Sequence, residues 1–249
     1  MYDILLAMAE KDFIKFRFVY ASVMEHLEGF DQIHCITPVP VPRKLRIEGV
    51  HYSLDEEAID FDFGNCKGMI KKRTNWYKQQ FIDLFQVVTG DNYFQIDADI
   101  CFNRKVNVIE NGKPSFLFGK DQDHPPYREI TQKLFGFGRE YPYSFINEMM
   151  YFKRDVIKEL VASTGLTKYG FFEQIINEVN RTQQESGFSE YDTYGNYVTK
   201  YLPDTYNYKH LKVLRTSKRR VWRKEEVLTL INKHKNQDFD VLAYHTYLP

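Results

Sequence analysis

Asp97-Ala98-Asp99 sets two carboxylates two residues apart, directly after the apolar run Tyr93-Phe94-Gln95-Ile96. Carboxylate oxygens are the ligands that a hard divalent cation takes. A cation held there would brace a diphosphate and offset the charge that develops on it as it leaves. The string alone does not select this reading, because D-x-D occurs four times, also at Asp60/Asp62, Asp121/Asp123 and Asp238/Asp240. Context does: only Asp97/Asp99 follows an amphipathic helical segment, a Gly90-Asp91-Asn92 turn and an apolar strand. In an open α/β sheet, ligands bind at the carboxyl ends of strands, where this pair sits. A solvated acidic turn is the other reading of the same residues.

Trp76, Gln79 and Gln80 share one helix face at i, i+3 and i+4. Two amides beside an indole suit a sugar or a base; buried packing, with the amides bonded to loop backbone, is the alternative. Arg215, Lys218, Arg219, Arg220, Arg223 and Lys224 surround Trp222. Such a run clamps a diphosphate, a phosphorylated lipid or a nucleic-acid backbone, or it is a solvated helix start that Glu225 and Glu226 partly neutralise. Lys120, Asp121, Asp123 and His124 follow a strand at Ser115–Phe118 and could meet sugar hydroxyls; a charged turn before Pro125-Pro126 is the plainer reading. Asn147-Glu148 precedes another apolar run. Gly136-Phe137-Gly138 lacks the leading strand and third glycine of a dinucleotide fingerprint, and no Walker loop, nucleophile elbow or zincin motif occurs.

These residues need a scaffold, and the pattern of short apolar runs alternating with amphipathic helices predicts an α/β domain. Strands are expected at 3–8, 32–37, 93–96, 115–118, 148–152, 211–214 and 240–244. Helices are expected at 13–27, from Thr74 or Asn75 to 88, from near 155, at 171–181 and at 190–200. Residues 41–72 read as irregular. The expectation is one domain over 1–249, with a nucleotide-binding half (1–100) and an acceptor-binding half (101–249).

The chain has 249 residues, 34 Lys plus Arg against 34 Asp plus Glu, and 16% aromatics. Zero formal net charge argues against a surface given over wholly to nucleic acid or anionic membrane. Three widely spaced cysteines, Cys35, Cys66 and Cys101, exclude a disulfide framework and a C-x-x-C knuckle. No apolar run reaches the roughly 18 residues of a membrane span, and the N-terminus lacks the basic region of a signal peptide. A cytoplasmic protein without a transmembrane segment is expected.

The stretch from Tyr93 to Ile100 resembles the metal-binding strand of nucleotide-sugar glycosyltransferases of the GT-A fold. Asn75-Trp76-Tyr77-Lys78-Gln79-Gln80 resembles the W-Y-x-Q-Q helix of a bacterial and viral group of such enzymes, and Ser189-Glu190-Tyr191-Asp192-Thr193-Tyr194-Gly195-Asn196-Tyr197 its S-E-Y-x-x-Y-G-N-Y segment. The likeness spans residues 70–200, in matching order and spacing. It implies a GT-A-like single domain whose mixed, mostly parallel sheet is flanked by helices, in a bacterial host or virus-infected cell. It implies Mn or Mg as cofactor, a nucleotide-diphospho-sugar donor, and a glycan or glycoconjugate acceptor, with inversion favoured. Asp99 would hold the metal; Asp97 would contact the ribose, or the metal through water. Ala7, Met8 and Ala9 would line the base. Glu190 would act as general base, with Asp192 as rival. His245 would be a third metal ligand, with His210 as competitor. Trp76 and Gln80, and Arg219 and Arg220 of the basic run, join the candidate donor-binding set. Two other readings stand beside this one: a phage-type DNA glycosyltransferase acting on a hydroxymethylated base, motivated by the basic run, and a non-catalytic sugar-binding module.

Overall fold

The first strand explains the rest of the sheet. β1 (Tyr2–Ala7) is apolar on both faces, and Ile4 and Leu5 are fully buried. A strand of that kind belongs inside a parallel sheet covered on both sides. In the computed structural model, which describes residues 1–61, 69–119, 123–216 and 224–244, it occupies the centre of a five-stranded sheet. β2 (Phe30–Thr37) pairs with it in parallel, and β3 (Val50–Leu54) extends β2, also in parallel. β4 (Asn92–Ile96) lies on the other side of β1, parallel, with Asp3 opposite Tyr93. The remaining central strand, β8, is antiparallel to β4 and is described below in chain order.

After β4 the chain forms β5 (Ile100–Phe102), β6 (Ile109–Glu110) and β7 (Lys113–Phe118), then β8 (Met149–Lys153), β9 (Asn207–His210), β10 (Val213–Arg215) and β11 (Val241–Ala243). The central order is β3-β2-β1-β4-β8; β10-β11-β5 and β6-β7-β9 are smaller sheets. The helices are α1 (Phe16–His26), α2 (Asp55–Ala58), α3 (Met69–Lys72), α4 (Thr74–Phe85), α5 (Pro125–Phe135), α6 (Arg154–Ser163), α7 (Lys168–Thr182), α8 (Glu190–Tyr201) and α9 (Lys224–His234). α1 buries Phe16, Val19 and Val23, and α4 buries Tyr77, Gln80, Phe81 and Leu84. Each set is one helical stripe, and a fully buried side chain of this kind contributes about 1.5–3 kcal/mol. Phe81, Phe85 and Phe172 interlock α4 with α7, with Phe172 at 3.8 and 4.6 Å from the other two rings. A mixed α/β fold with a mostly parallel central sheet between helices is thus what the alternating pattern specifies.

Three expectations need correction, and one helix, α5, was not expected. Residues 41–72 are not irregular throughout: β3 and α2 lie there. β3 is an edge strand whose residues are half-buried or exposed, so it lacks the apolar signature of its neighbours. The stretch after Pro125-Pro126 is the helix α5, with the prolines in its first turn, where their missing N–H groups cost nothing. The expected strand at 211–214 is β10, shifted to Val213–Arg215, and a further strand, β9, precedes it, with Leu211 and Lys212 between the two. Neither Thr74 nor Asn75 caps α4; Arg73 precedes it, and the Thr74 hydroxyl donates to the Lys71 carbonyl at 2.9 Å. Among the described residues, no helix is long and apolar enough to cross a membrane.

Candidate active site

In the order β3-β2-β1-β4, the chain first builds outward from β1 in one direction and then returns to its other side. β1 and β4 therefore diverge at a topological switch point, where open α/β sheets form a ligand crevice beyond the carboxyl ends of their strands. A cavity of about 930 Å³ lies there. Ala7, Met8 and Ala9 at the exit of β1 line it, as do Asp97, Ala98 and Asp99 at the exit of β4. Met8 is held by its backbone N–H to the Ile36 carbonyl at 2.8 Å.

β8 runs opposite to β4, so its beginning meets the end of β4. The Asp97 backbone N–H donates to the Glu148 carbonyl at 2.9 Å, which brings Asn147 and Glu148 to the cavity wall. The small sheet secures the other end of the D-x-D turn: Tyr244 N–H donates to the Asp99 carbonyl at 2.9 Å. Arg215, at the end of β10, reaches the same wall. Its Nε lies 2.7 Å from Glu148 Oε1 and its Nη2 3.4 Å from Asn147 Oδ1. Asp97 Oδ1 sits 3.4 Å from Gln95 Nε2, and the Tyr191 hydroxyl donates to Gln95 Oε1. A hydrogen-bond chain thus joins the D-x-D strand to α8.

Glu190 opens α8 and lines the cavity. Ser189 is the N-cap, and its hydroxyl accepts from the Asp192 N–H at 3.3 Å. The Glu190 N–H donates to Gln80 Oε1 at 3.2 Å, which fixes the helix start against α4. Burial raises the Glu190 carboxyl to about 8, against the backbone N–H groups of Glu190 and Tyr191 and a hydrogen bond with Asp83. Asp83, fully buried on α4, is raised well above the carboxylate range, first by burial and then by the charges of Glu190 and Asp97.

Asp192 sits elsewhere. It does not line the cavity; its buried Oδ1 accepts from the Ser144 hydroxyl at 3.2 Å and the Phe145 N–H at 3.1 Å. It anchors the segment that leads into Asn147-Glu148. The rest of the α8 motif packs. Tyr194 bonds the Lys153 N–H at 2.9 Å and Tyr206 at 2.6 Å, Asn196 Oδ1 accepts from the Glu140 N–H at 2.7 Å, and Gly195 lies against the Phe145 ring.

On α4, Trp76 and Gln79 line the cavity and are half-buried, with the Arg73 guanidinium 4.2 Å from the Trp76 ring centroid. Gln80 lines the cavity while its carbonyl oxygen accepts from the first N–H of α8, helix backbone rather than the loop backbone expected. Its Nε2 is buried with no hydrogen-bond partner. Asp123 and His124 also reach the cavity, ahead of α5. His210 does not: it is exposed on β9, 5.7 Å from the Phe118 ring. His245, Arg219 and Arg220 lie outside the described residues, as do Lys120 and Asp121.

Sequence reasoning missed Lys11, Asp12, Asp55 and Lys78 on the cavity wall, and Asp83 behind it. Lys11 and Asp12 follow β1 as the D-x-D follows β4, so the strand-exit rule applies to them equally. Asp12 pairs with Lys15, which is fully buried. Asp83 is seven residues from Trp76 and three from Gln80, on the same stripe of α4. Among the described residues, no group of three or more His, Cys, Asp and Glu side chains is arranged to hold a metal. Two carboxylates, the number Asp97 and Asp99 offer at the cavity wall, are as many as Mg takes from a protein when phosphate oxygens and water fill its other positions. No protein-family model matches the chain, and no curated protein is similar to it.

Proposed function

We propose that this chain is a metal-dependent glycosyltransferase that moves a sugar from a nucleotide-diphospho-sugar to a hydroxyl of a glycan or glycoconjugate, with inversion at the transferred carbon. The observation that supports this reading best is the shared cavity at the β1/β4 switch point: the exits of both strands, the Asp97/Asp99 pair and the buried acid Glu190 all line it. The resemblance of three ordered motifs to GT-A enzymes agrees with that placement.

Ala7, Met8 and Ala9 would flank the base, as strand exits do in nucleotide-binding crevices. Asp97 and Asp99 would hold Mn or Mg, which when bound supplies positive charge to the leaving diphosphate. Glu190 would take the proton from the acceptor hydroxyl as its oxygen attacks the sugar. Arg215 keeps Glu148 in place beneath the D-x-D turn, and Gln80 keeps Glu190 at the helix start.

The test is incubation with manganese and a panel of nucleotide sugars, read as free nucleoside diphosphate, beside calorimetry with nucleoside diphosphates with and without manganese. Release or metal-dependent binding is expected for at least one nucleotide. Neither release nor binding across the panel would refute the reading; binding without release in the presence of varied acceptors would favour a sugar-binding module.

A further inference from the structure

One wall of the cavity takes no part in the reaction outlined above. Three segments meet there at Ser186. The Arg73 guanidinium, at the start of α4, donates to the Ser186 hydroxyl. His124 Nε2, ahead of α5, lies 2.9 Å from the Ser186 carbonyl oxygen. This junction carries two aromatic rings, Trp76 of α4 and Tyr127 of α5, which both line the cavity and are half-buried. Their planes lie 26° apart, with centroids at 6.2 Å. Full overlap would bring them to carbon contact at about 3.5–4.0 Å, so the rings are offset neighbours. Each is fixed by a side chain of the junction: Arg73 lies 4.2 Å from the Trp76 centroid, and the His124 ring meets Tyr127 edge-on at 4.4 Å.

Polar groups border the rings. Among the described residues, neither the Trp76 indole N–H nor the Gln79 side-chain amide forms a hydrogen bond, and neither is sealed in the interior. Asp123 adds a carboxylate at the same wall. An apolar ring surface edged by an N–H, an amide and a carboxylate matches a pyranose, whose C–H groups cover a face and whose hydroxyls surround it. A carboxylate there disfavours the phosphates of a nucleic-acid backbone. The wall also lies beside Glu190. Gln80, which accepts from the Glu190 N–H at 3.2 Å, follows Trp76 by four positions. That is about one helical turn, or 5.4 Å, close to the width of one sugar ring.

We propose that Trp76 and Tyr127 form the acceptor subsite: the terminal pyranose of a glycan packs its C–H face on these rings, Gln79 and Asp123 take its hydroxyls, and one hydroxyl is delivered to Glu190. The inference rests on Glu190 being the base of the proposed transfer. It sets Trp76 with the acceptor rather than with the donor-binding residues.

Kinetics separate the two substrates. Trp76→Ala should raise the acceptor KM by about 10–100-fold, the size of a stacking contact on an aromatic side chain. The donor KM and the manganese-dependent affinity for nucleoside diphosphate should stay in place, and Trp76→Phe should recover much of the acceptor KM. If Trp76→Ala leaves the acceptor KM unchanged, or raises the donor KM as much, the proposal is wrong. Should Trp76→Ala fail to fold, Tyr127→Ala reads the same split from the second ring. A second readout needs no turnover. Trp76 and Trp222 are the two tryptophans of the chain, so Trp222→Phe leaves Trp76 as the sole indole emitter. Its emission should shift with at least one of the methyl glycosides of glucose, galactose, mannose and N-acetylglucosamine. No shift with any of them, with or without manganese and a nucleoside diphosphate, overturns the proposal whether or not the chain transfers sugar. A shift with duplex DNA carrying a hydroxymethylated base, and none with the sugars, overturns it in favour of a nucleic-acid acceptor. A shift with sugar in a chain that neither binds nucleoside diphosphate nor transfers sugar keeps the pyranose on these rings and refutes the transferase reading instead.

Discussion

Gly195→Ala tests how α8 is seated, and the structure sets the size of the effect. A Cβ built on Gly195 would lie 2.4 Å from Phe145 Cγ and 2.5 Å from its Cδ2. Carbon pairs prefer about 3.5–4.0 Å, so helix or ring must move by roughly 1 Å. Phe145 has little room to give. Its ring is 1% exposed and lies 5.0 Å from that of Phe116 and 5.5 Å from that of Tyr141. Its backbone N–H is tied to Asp192 on the same helix. Forcing extra volume into such a site costs about 1–3 kcal/mol, whereas replacing an interior helical Gly by Ala gains about 1 kcal/mol. Because the ring is confined, the cost should lie at the upper end, about 2–3 kcal/mol, leaving a net loss of about 1–2 kcal/mol. At roughly 2–4 °C per kcal/mol for a chain of this size, Tm should fall by about 2–8 °C. Gly170→Ala in α7 is the internal control: its Cβ would meet neighbours at 3.5 Å or more, so it should stabilise by about 0.4–1 kcal/mol. Phe145→Leu in the Gly195→Ala background should recover part of the loss, as coupled neighbours do. Thermal and urea melts read all three. A Gly195→Ala protein as stable as the parent would refute the packing argument.

Asp99→Asn should abolish manganese-dependent nucleoside diphosphate binding in calorimetry while the melting curve stays unchanged. Glu190→Gln should cut turnover by about 10²–10⁴-fold with donor affinity nearly intact, the usual weight of a positioned base. Asp192→Asn should instead lower stability, since a buried acceptor of two hydrogen bonds is altered. Turnover should rise with pH through about 8, where the raised Glu190 carboxyl becomes charged; a rate flat across that range would count against it. Glu178 is held down to about 2, chiefly by its hydrogen bond with Arg181 and then by Lys133. A lowered carboxyl stabilises the fold above its unfolded value, about 4.3, and loses that effect as pH falls towards 2. Glu178→Gln should therefore flatten the acid limb of stability measured by urea unfolding between those two values.

Periodicity made the long elements legible. β1, β2 and β4 are apolar runs of strand length, and α1, α4, α7 and α8 carry clear stripes, so these appear within a few residues of their expected bounds. The short elements were not legible, because their reason lies in other parts of the chain. β5 has three residues and exists through pairing with β11, more than a hundred positions away. β3 needs only a neighbour to pair with, since its side chains remain half-exposed at the sheet edge. α5 opens on two prolines, which read as a break, although Pro is also at home in a first helical turn.

The site divides along the same line. Of the residues that touch the cavity, Asp97/Asp99 was found by a local rule, the strand exit; Ala7–Ala9 and Glu190 came with the resemblance to GT-A enzymes, and they lie at a strand exit and a helix start. Residues that hold those groups carry no local mark. Gln95 looks like a polar interruption in a buried strand, yet it relays Tyr191 to Asp97. Tyr77 looks like core, yet its hydroxyl accepts from the Gly187 N–H at 3.1 Å and donates to the Glu185 carbonyl at 3.2 Å, shaping the approach to Ser189. Gln80 looks like a ligand group, yet it holds the first N–H of α8. The three motifs are therefore one hydrogen-bonded assembly: α4 grips α8 through Gln80 and Tyr77, and α8 grips β4 through Tyr191 and Gln95. A change in any one strains the placement of Glu190 relative to Asp97. This coupling gives a physical reason for α4, β4 and α8 of this chain to act as one unit, although α8 lies about a hundred residues beyond α4.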